Sequence, residues 1–147
     1  MIVHFKKAVG VENLACLLQR GEKRLKRWEG YKDNFTNKIK KIDIDWVEDD
    51  FLRQEYWTEA TFLLLHWTTF STEARLKVAK TISGCVEGTQ VIAFTTPVPG
   101  DDFDILIHDF CDTSWGKTEF FVQEKITPAK LINAEPTTDG ELVDEDI

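Results

Sequence analysis

Three places in this 147-residue chain hold side chains whose types and spacing could do chemistry. Glu12 closes the run Val9-Gly10-Val11-Glu12, and a carboxylate there could accept two hydroxyl protons at once. The same position also suits ordinary helix-start electrostatics. Asp50 and Phe51 follow in Glu48-Asp49-Asp50-Phe51-Leu52, a carboxylate beside an aromatic face. The plain alternative is a solvated acidic turn with Phe51 as a core anchor. His66 ends an apolar run, and imidazole can bond a substrate amine or transfer a proton near neutral pH. A single His on such a strand is more often a satisfied core residue. Trp67 beside it offers a face that accommodates cations, or simple packing. His4, His108 and the cysteines show no zinc spacing. No nucleophile elbow, phosphate-binding loop or paired catalytic carboxylates occur.

These residues need elements to hold them. Residues 5–12 read as a short strand. Leu14, Leu17, Leu18, Gly21, Leu25 and Trp28 then recur at helical spacing, with Gly30 as a stop signal. Ile42, Ile44 and Trp46 alternate with Asp43, Asp45 and Val47, the pattern of a charge-protected edge strand. Residues 62–65 and 91–94 are continuous apolar runs, as in strands buried on both faces of a parallel sheet. Between them Leu76, Ala79, Ile82 and Val86 trace a helix stripe, with Ser71 or Thr72 as cap and Glu73 in the first turn. Pro97, Pro99 and Gly100 break the chain. Residues 103–107 and 118–124 then read as an antiparallel pair. The order implies an α/β sheet with residues 42–46 at one edge and that pair at the other.

The chain is 42% hydrophobic and 12% aromatic, a globular composition. No stretch approaches the roughly 20 apolar residues that span a bilayer. Three scattered cysteines and no signal-peptide core suit a soluble intracellular protein of nucleus or cytoplasm. The net charge of -8 argues against unaided nucleic-acid binding, and no sequence-specific contact to nucleic acid is expected. Yet residues 20–41 hold nine Lys/Arg against three Asp/Glu. That run is a solvated face or a docking patch for an acidic partner. Residues 135–147 hold six acidic residues and no basic ones, the composition of a disordered tail.

In order, these motifs resemble the class I S-adenosylmethionine (SAM) methyltransferases, and most of all the DOT-type (disruptor of telomeric silencing) histone-lysine methyltransferases. The matching pieces are Val-Gly-Val-Glu at 9–12 with its basic helix, Asp-Asp-Phe-Leu at 49–52 and Thr-Thr-Phe at 68–70. Glu-Gly-Thr-Gln-Val-Ile at 87–92 and Ser-Trp-Gly at 114–116 continue the series. The resemblance implies a Rossmann-like methyltransferase sheet ending in an antiparallel hairpin, over residues 1–126, with 127–147 as the acidic tail. It implies that Glu12 accepts the ribose hydroxyls of SAM, that Asp50 and Phe51 hold adenine, and that His66 and Trp67 border the methyl group. A histone or nucleosome would dock on residues 20–41. Two departures stand out. His66 replaces the family's Asn, and Asp49 replaces a glycine. The family's Gly-x-Gly loop, which follows its first strand and holds the methionine end of SAM, has no counterpart. The sheet is therefore expected to be incomplete, and SAM binding by this chain weak or absent.

Overall fold

The structure is a computed structural model and describes residues 5–36, 41–53 and 57–128. The expected tail at 135–147 lies outside the described residues, as do Lys38 and Lys40 of the basic run. The chain divides into two compact units, residues 1–53 and 54–147. No helix among the described residues is long and apolar enough to cross a membrane.

In the first unit, β1 (Lys7–Glu12) and β2 (Asp43–Glu48) pair in parallel, with Glu12 opposite Glu48. Between them in sequence runs α1 (Ala15–Tyr31), followed by a single tight turn at Lys32–Asn34. Leu, Arg, Lys and Glu fill α1, all good helix formers. Gly30 does not stop it: the helix continues to Tyr31. The apolar stripe is partly covered. Gly21 is buried and Leu18, Leu25 and Trp28 are half-buried, whereas Leu14 and Leu17 are exposed. The Trp46 ring from β2 organises this unit. A Cβ on Gly10 would lie 2.5 Å from that ring, and one on Gly21 2.8 Å. Only glycine lets the indole lie against both the strand and the helix.

In the second unit, β3 (Phe62–Leu65) pairs in parallel with β4 (Gln90–Phe94). The antiparallel pair is present and longer than expected: β5 (Phe103–Thr113) with β6 (Gly116–Lys125). The strand order is β3-β4-β6-β5, so β6 is internal and β5 forms the edge. The described strands thus form two sheets, not one with residues 42–46 along an edge. Among the described residues, β1 and β3 each have one hydrogen-bonded neighbour.

Helix α2 (Thr72–Ile82) starts at Ser71, whose Oγ accepts from the Ala74 N–H at 3.2 Å. It buries Val78, Thr81 and Ile82; of the expected stripe Ile82 is buried, Ala79 half-buried and Leu76 exposed, and Val86 lies beyond the helix end. Thr81 can be inside because its hydroxyl donates to the Lys77 carbonyl. Strands β3 and β4 also differ from expectation, being buried on one face only. Leu63, Leu65, Val91 and Ala93 point inward, while Leu64 is 61% exposed. Buried polar groups in this core are paired, apart from the Trp57 indole N–H, which has no partner among the described residues. Gln123 clamps Val98 from both sides, accepting from its N–H at 2.6 Å and donating to its carbonyl at 3.2 Å. The Lys125 ammonium donates to the Thr127 carbonyl and hydroxyl and lies 4.0 Å from Asp102.

Candidate functional site

The candidate residues fall into two groups, one in each unit, and in each they sit at the carboxyl ends of parallel strands. Ligands of open α/β sheets bind at that end, because strand-to-helix loops converge there.

In the first unit, Glu12 is the last residue of β1, and Asp50 follows β2 by two residues. Both carboxylates have backbone partners. Glu12 Oε1 accepts from the Leu14 N–H at 2.9 Å, which starts α1 where no N-cap side chain does. Asp50 Oδ1 accepts from the Leu52 N–H at 2.9 Å, and Asp50 in turn donates its N–H to Asp49 Oδ1 at 2.7 Å. Asp49 also holds Arg53 at 2.8 Å. The turn that a glycine would shape is thus built here by two consecutive aspartates. Each carboxylate of Glu12 and Asp50 keeps acceptor capacity beyond its one backbone bond. Half-buried Phe51 stands beside Asp50. These groups fit the nucleoside end of SAM: two carboxylates for hydroxyl and amino donors, and one ring for a flat base.

In the second unit, His66 follows the last residue of β3. It is exposed, not part of the core. Its ring lies 5.0 Å edge-on from Trp115 and 5.1 Å from Phe94. His66, Thr68, Thr69 and Trp115 line a concavity of about 230 Å³. Trp67 turns the other way. It is 1% exposed and its indole N–H donates to the Thr96 carbonyl at 3.1 Å, so its faces are taken up by packing. The aromatic neighbours of His66 are therefore Phe94 and, from the turn between β5 and β6, Trp115. The Ser-Trp-Gly signal was legible, but nothing in the sequence brought that turn to β3.

Thr95, at the end of β4, has φ 74, a left-handed conformation that is costly for a β-branched residue. Its N–H donates to the Glu119 carbonyl at 2.9 Å, and its hydroxyl lies 3.0 Å from that of Thr68. Strain of this kind persists only where surrounding contacts fix it, and here it fixes the rim beside His66. No periodic signal could have shown it. Among the described residues, no three His, Cys, Asp or Glu side chains are placed to hold a metal ion. Cys85 is no nucleophile: burial pushes its thiol up to about 11, and it donates to the Trp57 carbonyl at 3.1 Å.

Two of the family-like motifs prove to be turn chemistry. Gly88 of Glu-Gly-Thr-Gln has φ 84, and Thr89 buries its hydroxyl on the Ala60 carbonyl at 2.9 Å. Gly116 of Ser-Trp-Gly has φ 126 in the hairpin turn.

The sequence matches no family model and no curated protein. Solved structures do match. One is the "putative methyltransferase yhhF" from Escherichia coli, at 7% identity and TM-score 0.56, over 82% of this chain and 64% of that one. Another is a "putative methylase" from Haemophilus influenzae, at 9% identity and TM-score 0.51, over 83% of this chain and 68% of that one. The chain spans a little less than two thirds of the length of yhhF. At such identities the likeness shows the fold alone: this chain shares a partial Rossmann-like α/β fold with these structures, and its last two strands form an antiparallel hairpin.

Proposed function

We propose that this chain is a SAM-dependent methyltransferase domain, directed at a protein lysine as its motif order suggests. The observation that carries this reading is the placement of Glu12 and Asp50 at the carboxyl ends of adjacent parallel strands, in a fold shared with methyltransferase-like structures. In this reading Glu12 accepts the ribose hydroxyls, Asp50 accepts from the adenine amino group and Phe51 lies against the base. SAM, when bound, supplies an activated methyl group. The chain's own share is to bind, to orient and to exclude water, since methyl transfer needs positioning more than acid-base power. On the resemblance alone, His66, exposed beside Trp115 in the second unit, would accept a hydrogen bond from an amine substrate.

A second reading is a non-catalytic methyltransferase-like interaction module or a part of a longer enzyme. One observation favours it: no Gly-x-Gly loop is present for the methionine end of SAM. Losing contacts to the two charged ends of that moiety removes several kcal/mol, at about 1.5–3 for each charge-assisted bond. Each 1.4 kcal/mol is about tenfold, so a micromolar site falls toward millimolar. Ligand-observed NMR with SAM is the test. Binding near millimolar that Glu12→Gln and Asp50→Asn each weaken about tenfold supports the nucleoside site. Binding indifferent to both changes removes it. Micromolar binding by the parent chain shifts the weight to a working enzyme.

A further inference from the structure

We propose that the solvent face of α1 is a binding strip for single-stranded nucleic acid, with Arg20, Lys23, Arg24 and Arg27 on phosphates and Tyr31 on a base. At 3.6 residues per turn these five positions share an arc of about 100° and run about 16 Å along the helix. All five are exposed. The four cations border one shallow concavity of about 620 Å³. Tyr31, 63% exposed, ends the same stripe four residues beyond Arg27.

The arrangement works against the helix itself. Arg20 with Arg24 and Lys23 with Arg27 are like charges at i,i+4, a spacing that destabilises a helix. Glu22 and Glu29 would relieve this repulsion on the stripe, but they lie on roughly the opposite side of the helix. Glu29 pairs instead with Lys32. Among the described residues, no carboxylate forms an ion pair with any of the four stripe cations. A merely solvated face has no need of such sorting.

Two features select the partner. Guanidinium forks match phosphate oxygens, and three of the four cations are Arg. A bare aromatic ring in line with them gives a base a surface to stack on, the combination that single-strand binders use. An acidic peptide would leave Tyr31 idle. The net charge does not forbid this, because it is divided. Residues 1–53 hold 12 Lys/Arg against nine Asp/Glu, or +3, while residues 54–147 hold six against 17, or -11.

Fluorescence anisotropy with a labelled oligouridine of about 12 nucleotides tests the strip. Parent binding should fall on the order of 50-fold for a fourfold rise in salt, from four phosphate contacts on a single strand. Arg24→Glu should weaken binding at least tenfold. Lys26→Glu changes charge equally but lies off the stripe, and should cost less than threefold. Tyr31→Ala should cost on the order of tenfold and Tyr31→Phe nearly nothing. Circular dichroism of each variant confirms that α1 is intact. Equal losses in Arg24→Glu and Lys26→Glu, an unaffected Tyr31→Ala, or no parent binding at low salt would each overturn the strip. Displacement of the oligonucleotide by an equal concentration of polyglutamate would hand the face to an acidic protein.

Discussion

The two units of this chain differ in what holds them and in what they offer. Every buried hydrophobic residue of the described core, from Leu63 to Phe121, belongs to the second unit. In the first unit the one fully buried described residue is Gly21, set against Trp46. The first unit is basic and the second acidic. Burial contributes the bulk of folding free energy, at about 25 cal/mol per Å² of apolar surface. The second unit is therefore the stable body, and the first a lightly packed carrier of charge and carboxylates. Local opening is easier where few apolar contacts must be lost, and ligand-binding segments are drawn from that end of the scale.

The sharpest way to break this comparison is Trp67→Ala. Truncating a fully buried Trp costs about 3–5 kcal/mol, and here it also strands the Thr96 carbonyl. Urea denaturation should show that loss, with hydrogen exchange locating it in the second unit. A variant of normal stability would instead return Trp67 to the methyl site.

Cys85 comes next. Burial raises its thiol from 9.0 to about 11, against a smaller lowering by Lys125. Between these pH values the unfolded thiol loses its proton and the folded one keeps it. Its contribution is complete below pH 9 and is lost as pH climbs toward 11, by about 2–3 kcal/mol. The stability difference between the parent and Cys85→Ala, followed from pH 8 to pH 11, should shrink accordingly. Exposed Cys16 should react with a thiol reagent at pH 8 while Cys85 does not.

Gly10→Ala probes the first unit. The new methyl group meets the Trp46 ring at 2.5 Å, and overpacking of this kind costs about 1–3 kcal/mol. Faster amide exchange should be concentrated in β1, β2 and α1. If Trp46→Ala in the same chain fails to recover part of that loss, the indole is not the organising contact.

The smallest expected effect is Ser71→Ala, about 1 kcal/mol for a lost helix cap. Lys77→Ala serves as its reference. Lys77 pairs with Glu73 on open surface, and its loss should leave the unfolding midpoint unchanged.

Local pattern alone determined much of this protein. It located both helices of the described residues, the strand ends near Glu12 and Asp50, the cap to within Ser71 or Thr72 and the antiparallel pairing of residues 103–107 with 118–124. Each is a short-range matter of periodicity, capping or turn residues, and neighbours in sequence decide it. The order of the loose motifs pointed to the methyltransferase kind of fold for the same reason, since turns such as those at Gly88 and Gly116 need particular residues. Tertiary structure alone decided the rest. The stripe of α2, the exposure of Leu64 and the division into two sheets depend on which neighbours arrive to cover a face. Trp67 and Trp115 show this most clearly. Both are tryptophans near the candidate site, yet one is buried against Thr96 and the other is brought edge-on to His66 by a hairpin turn some fifty residues away. The strain at Thr95 belongs with them. A left-handed threonine is held there by its N–H donating to the Glu119 carbonyl and by a hydroxyl contact with Thr68, and no reading of its own neighbours along the chain contains them.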